Sequence, residues 1–201
     1  MIEEFIQYLI LYFVVIDPIG TVPMFIVLTK GLKSNDKIKV AFEGVVIATL
    51  VLLFFAIFGS YLLKYLGISF NAFTIAGGII LFIISLQMLF EIRTERRKQS
   101  IVEKRESISI FPIAMPLLAG PAAITSVILA VSTAGENYTS FIINLISLTA
   151  IMIICLLIYR IFISFQKFIN EKIINIFSRV IGIILAALSI QYILDGIKSF
   201  F

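Results

Sequence analysis

The chain has 201 residues, 61% of them hydrophobic, with a formal net charge of +4 and a mean hydropathy of +1.13. A soluble domain carries about 45–50% apolar residues, so this composition excludes an ordinary water-soluble fold. The lack of histidine removes imidazole metal sites, Ser–His triads and imidazole proton relays, and the single Cys155 cannot form an internal disulfide.

A membrane-crossing helix needs about 20 mostly apolar residues. Six stretches qualify, at roughly 5–28, 40–63, 70–90, 109–133, 140–163 and 177–197. They predict an all-α polytopic membrane protein of six transmembrane helices in one domain over 1–201. The first stretch opens "MIEEF", with acids where a signal peptide has a basic n-region, and it lacks a small-residue cleavage site, so it reads as a retained helix. Its apolar run is interrupted by "IDPIGTVP" at 16–23. Asp17 falls about 16 Å into the helix, near the midplane, where an acid costs about 2.5–3.5 kcal/mol on insertion scales. Pro18 and Pro23 lack a backbone donor and disfavour helix in the residue before them. Irregular backbone at that depth is tolerated only where it is buried in protein or lines a cavity, which predicts freed N–H and C=O groups facing something other than lipid.

The third stretch, "FTIAGGIILFIISLQML" (73–89), matches the sixth, "FSRVIGIILAALSIQYI" (177–193), in one ungapped register. Gly78 pairs with Gly182, Ser85 with Ser189 and Gln87 with Gln191. The fourth, "FPIAMPLLAGPAAITSVIL", is broken by Gly120–Pro121 as the first is by its own prolines: Pro18 aligns with Pro121, and Thr21 lies one register step from Thr125. The chain is therefore expected to be two inverted three-helix repeats, 1–90 and 109–201, around a connector at 91–108, with helices 1 and 4 broken. Matched interrupted helices in an inverted repeat point to a transporter's binding site.

Lysine and arginine fix the expected orientation. The first, third and fifth connections hold fourteen of them, and the other side holds Lys64 and Lys198 alone. The positive-inside rule then places the odd loops in the cytoplasm and both termini outside, in the cell inner (plasma) membrane. The charged loop "EIRTERRKQSIVEKRESIS" reads as a solvated connector.

Two half-helix ends meeting within the membrane offer N–H groups to a carboxylate and C=O groups to an ammonium. Thr21, Thr125 and Ser126 add hydroxyls, a pattern that fits a zwitterionic amino acid. Asp17 either carries a proton or caps the broken helix by accepting from the N–H groups of Gly20 and Thr21. Gln87 and Gln191, with Ser85 and Ser189, serve as interhelical glue or as site residues, and Asn144 either packs or lines the path.

The blocks "DPIGTVPMF", "PLLAGPAAIT" and "IAGGIILF…LQMLF" resemble those of the MarC family of membrane proteins, and the resemblance runs from end to end. It implies transport of small neutral amino acids such as glycine and alanine, coupled to protons. Asp17, Pro18, Gly20, Thr21, Pro23, Gly120, Pro121 and Thr125 would then border the path. An intramembrane enzyme would need a nucleophile with its base, paired carboxylates or metal ligands, and the sequence presents none. A channel or an accessory membrane subunit is the alternative. No cofactor or metal is expected; the expected partners are a small-molecule substrate and the lipid bilayer, without nucleic acid, and a homo-oligomer remains open.

Overall fold

The computed structural model describes residues 1–29, 31–90, 109–135, 137–164 and 171–198; the predicted connector at 91–108 lies outside them. In chain order they form α1 (Ile2–Ile16), α2 (Val22–Leu28), α3 (Ser34–Tyr65), α4 (Phe70–Leu89), a π-helical segment (Ser109–Leu118), α5 (Pro121–Ala134), α6 (Tyr138–Ser164) and α7 (Glu171–Lys198). The described residues contain no strand. Four stretches are long and apolar enough to cross a membrane whole: Ser34–Tyr65, Phe70–Leu89, Tyr138–Ser164 and Arg179–Lys198.

The first and fourth predicted stretches are each divided. The 15 residues of α1 cover about 22 Å, short of a hydrocarbon core of about 30 Å. The seven residues of α2 add about 10 Å beyond the break. In the fourth stretch, Pro112 and Pro116 fall within the ten-residue π-helical segment. Two missing donors so close together disrupt the ordinary i→i−4 ladder, and the segment winds wider; its wide bonding ends with Ala119 N–H donating to Ala114 O at 2.8 Å.

The surface departs from that of a soluble protein, and polar side chains join the apolar ones inside. Leu50, Phe54 and Phe58 of α3 and Ile146, Ile153 and Leu157 of α6 point outward and are exposed, while Thr21, Ser126, Asn144 and Ser147 are fully buried. Lipid tails are as apolar as leucine, so helices in a membrane gain little by hiding aliphatic area and associate through close packing and internal hydrogen bonds. Glycines supply the close packing. A Cβ added to Gly44 would lie 2.6 Å from Ile113 Cγ2, which seats the π-helical segment on α3, and one on Gly59 would lie 2.5 Å from Ile128 Cγ1 of α5.

The α4–α7 pair has reciprocal contacts. Gly78 of α4 lies against Ile193 and the carbonyl of Ser189, and Gly182 of α7 lies against Met88 and the carbonyl of Ser85. These are the residues that the sequence comparison equates, and exchanging the helices exchanges the contacts. Gly196 meets Ile75 and Asn71, so rising numbers on one helix meet falling numbers on the other and the pair is antiparallel.

Candidate functional site

The break after α1 is built by Asp17. It ends the helix in the left-handed conformation, φ 51° and ψ 65°, the single non-glycine residue with positive φ among the described residues. Aspartate and asparagine visit this region more readily than other side chains because a short polar group can bond locally. Here that bond is Gly20 N–H to Asp17 Oδ1, 2.9 Å. The backbone closes the rest of the turn: Asp17 N–H donates to Phe13 O, Thr21 N–H to Asp17 O and Val22 N–H to Ile19 O. Thr21 Oγ1 donates to Pro18 O at 2.9 Å. The N–H groups of Gly20 and Thr21 therefore both find partners on Asp17, the first on its side chain as the capping alternative expects, the second on its backbone carbonyl. Asp17, Pro18 and Thr21 are buried and Gly20 is half-buried. Pro23 lies in the first turn of α2, where a missing donor costs nothing.

The second break has a different chemistry. Gly120 is extended, at φ −81° and ψ 172°, and Pro121 opens α5. Proline suits a first helical position because it has no N–H to leave unbonded, so Pro121 stands exposed without a buried donor to satisfy. No side chain caps this helix start, although Ala122 and Ala123 are buried. Ser126, four residues beyond Ala122 and on the same helix face, is completely buried, and its Oγ has no hydrogen-bond partner. Thr125 is buried with its methyl turned to α4, since a Cβ on Gly77 would collide with Thr125 Cγ2.

Joining these elements is a polar seam between α1 and α6. Ser140 Oγ donates to Glu4 Oε1 at 2.8 Å, and Ser147 Oγ reaches Phe5 O at 3.3 Å. Farther in, Tyr12 Oη donates to Asn144 Oδ1 at 2.8 Å; both residues are fully buried, and Asn144 Nδ2 has no partner. Cys155 lies within electrostatic reach of Asp17. Tyr159 Oη then donates to Thr21 Oγ1 at 3.0 Å, and its ring stacks on Phe25 at 4.5 Å and 11°. From Glu4–Ser140 at one end to Thr21–Tyr159 at the other the partner numbers rise together, so α1 and α6 run parallel.

The seam also sets the depth of the first break. Cys155 is four residues past the middle of α6, about 6 Å, and Tyr159 about 12 Å. Along α6 the break therefore lies past the middle of that helix, toward the end where the start of α3 and the end of α6 meet. The reason is that α1 continues for 15 residues before it stops, while α2 has only seven.

The two glutamines are not drawn to the breaks. Gln191 is exposed on α7 and donates to Asp195 Oδ1 one turn away at 2.8 Å. Gln87 is half-buried on α4, ten residues, or about 15 Å, along the helix from the Gly77–Thr125 contact. The residues that sequence reasoning overlooked are Tyr12 and Tyr159, which read as apolar bulk. A signal for them was present on α6: Ser140, Asn144, Ser147, Cys155 and Tyr159 recur at spacings of three, four and eight, the period of one helix face.

Residues 2–201 match the model described as MarC family integral membrane protein. A UPF0056 membrane protein of Methanocaldococcus jannaschii is 36% identical over 204 residues, covering 96% of this chain and 98% of that one. One from Buchnera aphidicola is 32% identical, covering 99% of this chain and 98% of the relative, and one from Aquifex aeolicus is 33% identical, covering 92% and 88%. No solved structure matches the chain.

Proposed function

Since this chain belongs to the MarC family of integral membrane proteins, we propose that it is a secondary transporter of a small polar solute, a neutral amino acid such as glycine or alanine, with its site at the paired helix breaks. In this reading the six predicted stretches are six membrane crossings in two inverted repeats. The reciprocal contacts of Gly78 with Ser189 and of Gly182 with Ser85 support that symmetry.

The observation that carries the reading is the pair of orphaned polar groups, Ser126 Oγ and Asn144 Nδ2, in the interior of an apolar bundle. A buried polar group without a partner costs about 1–3 kcal/mol, and a visiting polar solute removes that cost. A substrate carboxylate would bond the uncapped first turn of α5 and the Ser126 hydroxyl, where the helix dipole favours negative charge. Its ammonium would face the carbonyl end of α1, which packs against α5. Asp17, Pro18, Gly20, Thr21 and Pro23 on one side and Gly120, Pro121 and Thr125 on the other would border the path.

The test is uptake and counterflow in proteoliposomes with labelled amino acids. The expected result is saturable uptake of glycine or alanine, with trans-stimulated exchange. Flux that never saturates and shows no counterflow would favour a channel, and no flux for any solute would favour an accessory subunit.

A further inference from the structure

A cavity of about 350 Å³ opens between the start of α3 and the end of α6, and neither Ser126 nor Asn144 lines it. Its residues divide by chemistry, and most of the apolar lining also lies deeper: Ile38 and Ile163 flank the cations at their own level, and the rest lies below them. Asn35, Lys39 and Arg160 carry its polar groups, and Ile38, Ala41, Phe42, Leu156, Leu157 and Ile163 form its apolar lining. Phe42 is three residues farther along α3 than Lys39, and Leu156 lies four residues deeper along α6 than Arg160, so the apolar floor begins about 5–6 Å below the cations. Lys39 and Arg160 are both exposed, and no salt bridge to either is present among the described residues. The nearby carboxylates Asp36 and Glu43 do not line the cavity. The start of α3 also has no side-chain cap, so its positive end adds to the local potential.

We propose that this cavity binds one anionic phospholipid, with the headgroup phosphate between Lys39 and Arg160 and an acyl chain along Phe42 and Leu157. Charge complementarity selects the anion: two unpaired cations and an amide surround the mouth, and basic pockets between transmembrane helices recognise acidic headgroups. The apolar floor selects an amphiphile over free phosphate, which would leave that surface unfilled. Phe42 and Leu157 are more than half exposed, so the cavity is open sideways to lipid. Its position fits the same choice, since the lysine-rich turn before α3 marks the end assigned to the cytoplasm by the charge rule, where anionic lipids concentrate.

Each cation near an anionic surface contributes about fivefold in affinity, so the pair contributes about 30-fold. The full chain would be purified in detergent and titrated with phosphatidylglycerol, phosphatidylcholine or glycerol 1-phosphate, with binding read by native mass spectrometry and by thermal shift. Phosphatidylglycerol is expected to bind about 30-fold tighter than phosphatidylcholine, and glycerol 1-phosphate is expected to give no shift. The double variant Lys39→Gln/Arg160→Gln should lose the preference, while Lys64→Gln, at the opposite end, should keep it. A photoreactive phosphatidylglycerol on the unmodified protein should label peptides containing Phe42 and Leu157, a readout that does not depend on the variants folding. Equal binding of the two lipids, protection by glycerol 1-phosphate alone, preference surviving in the double variant, or labelling confined to other helices would each overturn the assignment.

Discussion

Replacing Gly77 with alanine should injure the protein through one methyl group, and removing one other methyl should repair it. An alanine Cβ at 77 would collide with Thr125 Cγ2 and lie 3.5 Å from both Thr125 Cβ and Leu129 Cδ1. Carbon atoms rest about 3.5–4.0 Å apart, so the overlap is with the Thr125 methyl alone. Forcing α4 and α5 apart should cost about 1–3 kcal/mol. Thr125→Ser removes that methyl and by itself should cost about 0.5–1.5 kcal/mol, as other buried methyl deletions do. If the two changes acted separately, the double variant would lose about 2–4 kcal/mol. Because the serine vacates the space that the alanine occupies, the double variant should instead fall within about 1 kcal/mol of the parent. The assay is reversible unfolding in mixed micelles, with all four corners of the cycle measured under one condition. A double variant as unstable as the sum of its parts would show that Gly77 does not sit against Thr125, and would remove the contact that holds α4 to the second break.

The reciprocal glycines of α4 and α7 should respond unequally. A Cβ on Gly78 meets Ile193 Cγ1 at 2.7 Å and the Ser189 carbonyl at 2.8 Å, whereas one on Gly182 meets nothing closer than 3.1 Å, so Gly78→Ala should lose about 2–3 kcal/mol and Gly182→Ala about 1 kcal/mol or less in the same unfolding assay. Tyr159→Phe removes the bond to Thr21 but keeps the ring stack on Phe25; it should cost about 1 kcal/mol, against about 3–5 kcal/mol for Tyr159→Ala. For orientation, Ser100→Cys should resist an impermeant maleimide added to intact cells, with little background because Cys155 is fully buried; ready labelling would invert the charge-based topology.

The sequence located the breaks and the glycine contacts because both depend on residue types with few other uses. Proline inside an apolar run interrupts or rewinds a helix, and glycines matched across a repeat mark places of close helix approach. Helix ends were less legible: α3 begins at Ser34 and not near 40, since a helix can run past the hydrocarbon into water and carry the exposed Asp36 and Lys39 with it. The tyrosines escaped because a phenol in an apolar run looks like any aromatic until its partner is known, and Asn144 and Thr21 lie 132 and 138 residues from theirs. The local bond of Gln191 was hidden for another reason. The residue matches Gln87 in register, but Asp195 one turn ahead satisfies it on an exposed face, and no repeat comparison contains that local bond.

Asp17 separates structure from mechanism. Its Oδ1 accepts from Gly20 N–H, and either form of a carboxyl can do so, because a proton can sit on the other oxygen. The cap therefore does not need the charge. Asparagine tolerates the left-handed conformation and presents the same acceptor, so Asp17→Asn should fold within about 1 kcal/mol of the parent. Alanine has no acceptor and leaves the Gly20 N–H unbonded, at about 1–3 kcal/mol, and also meets the left-handed penalty of about 1–2 kcal/mol. Asp17→Gly escapes the second cost. Stability should then fall in the order asparagine, glycine, alanine, and an alanine variant as stable as the asparagine one would refute the cap. With the fold held by asparagine, transport can be read alone. A proton carried on Asp17 would make Asp17→Asn lose accumulation driven by a pH gradient while retaining counterflow. The observed bond favours the cap, so the expected result is that Asp17→Asn retains both; loss of accumulation alone would assign the proton to Asp17.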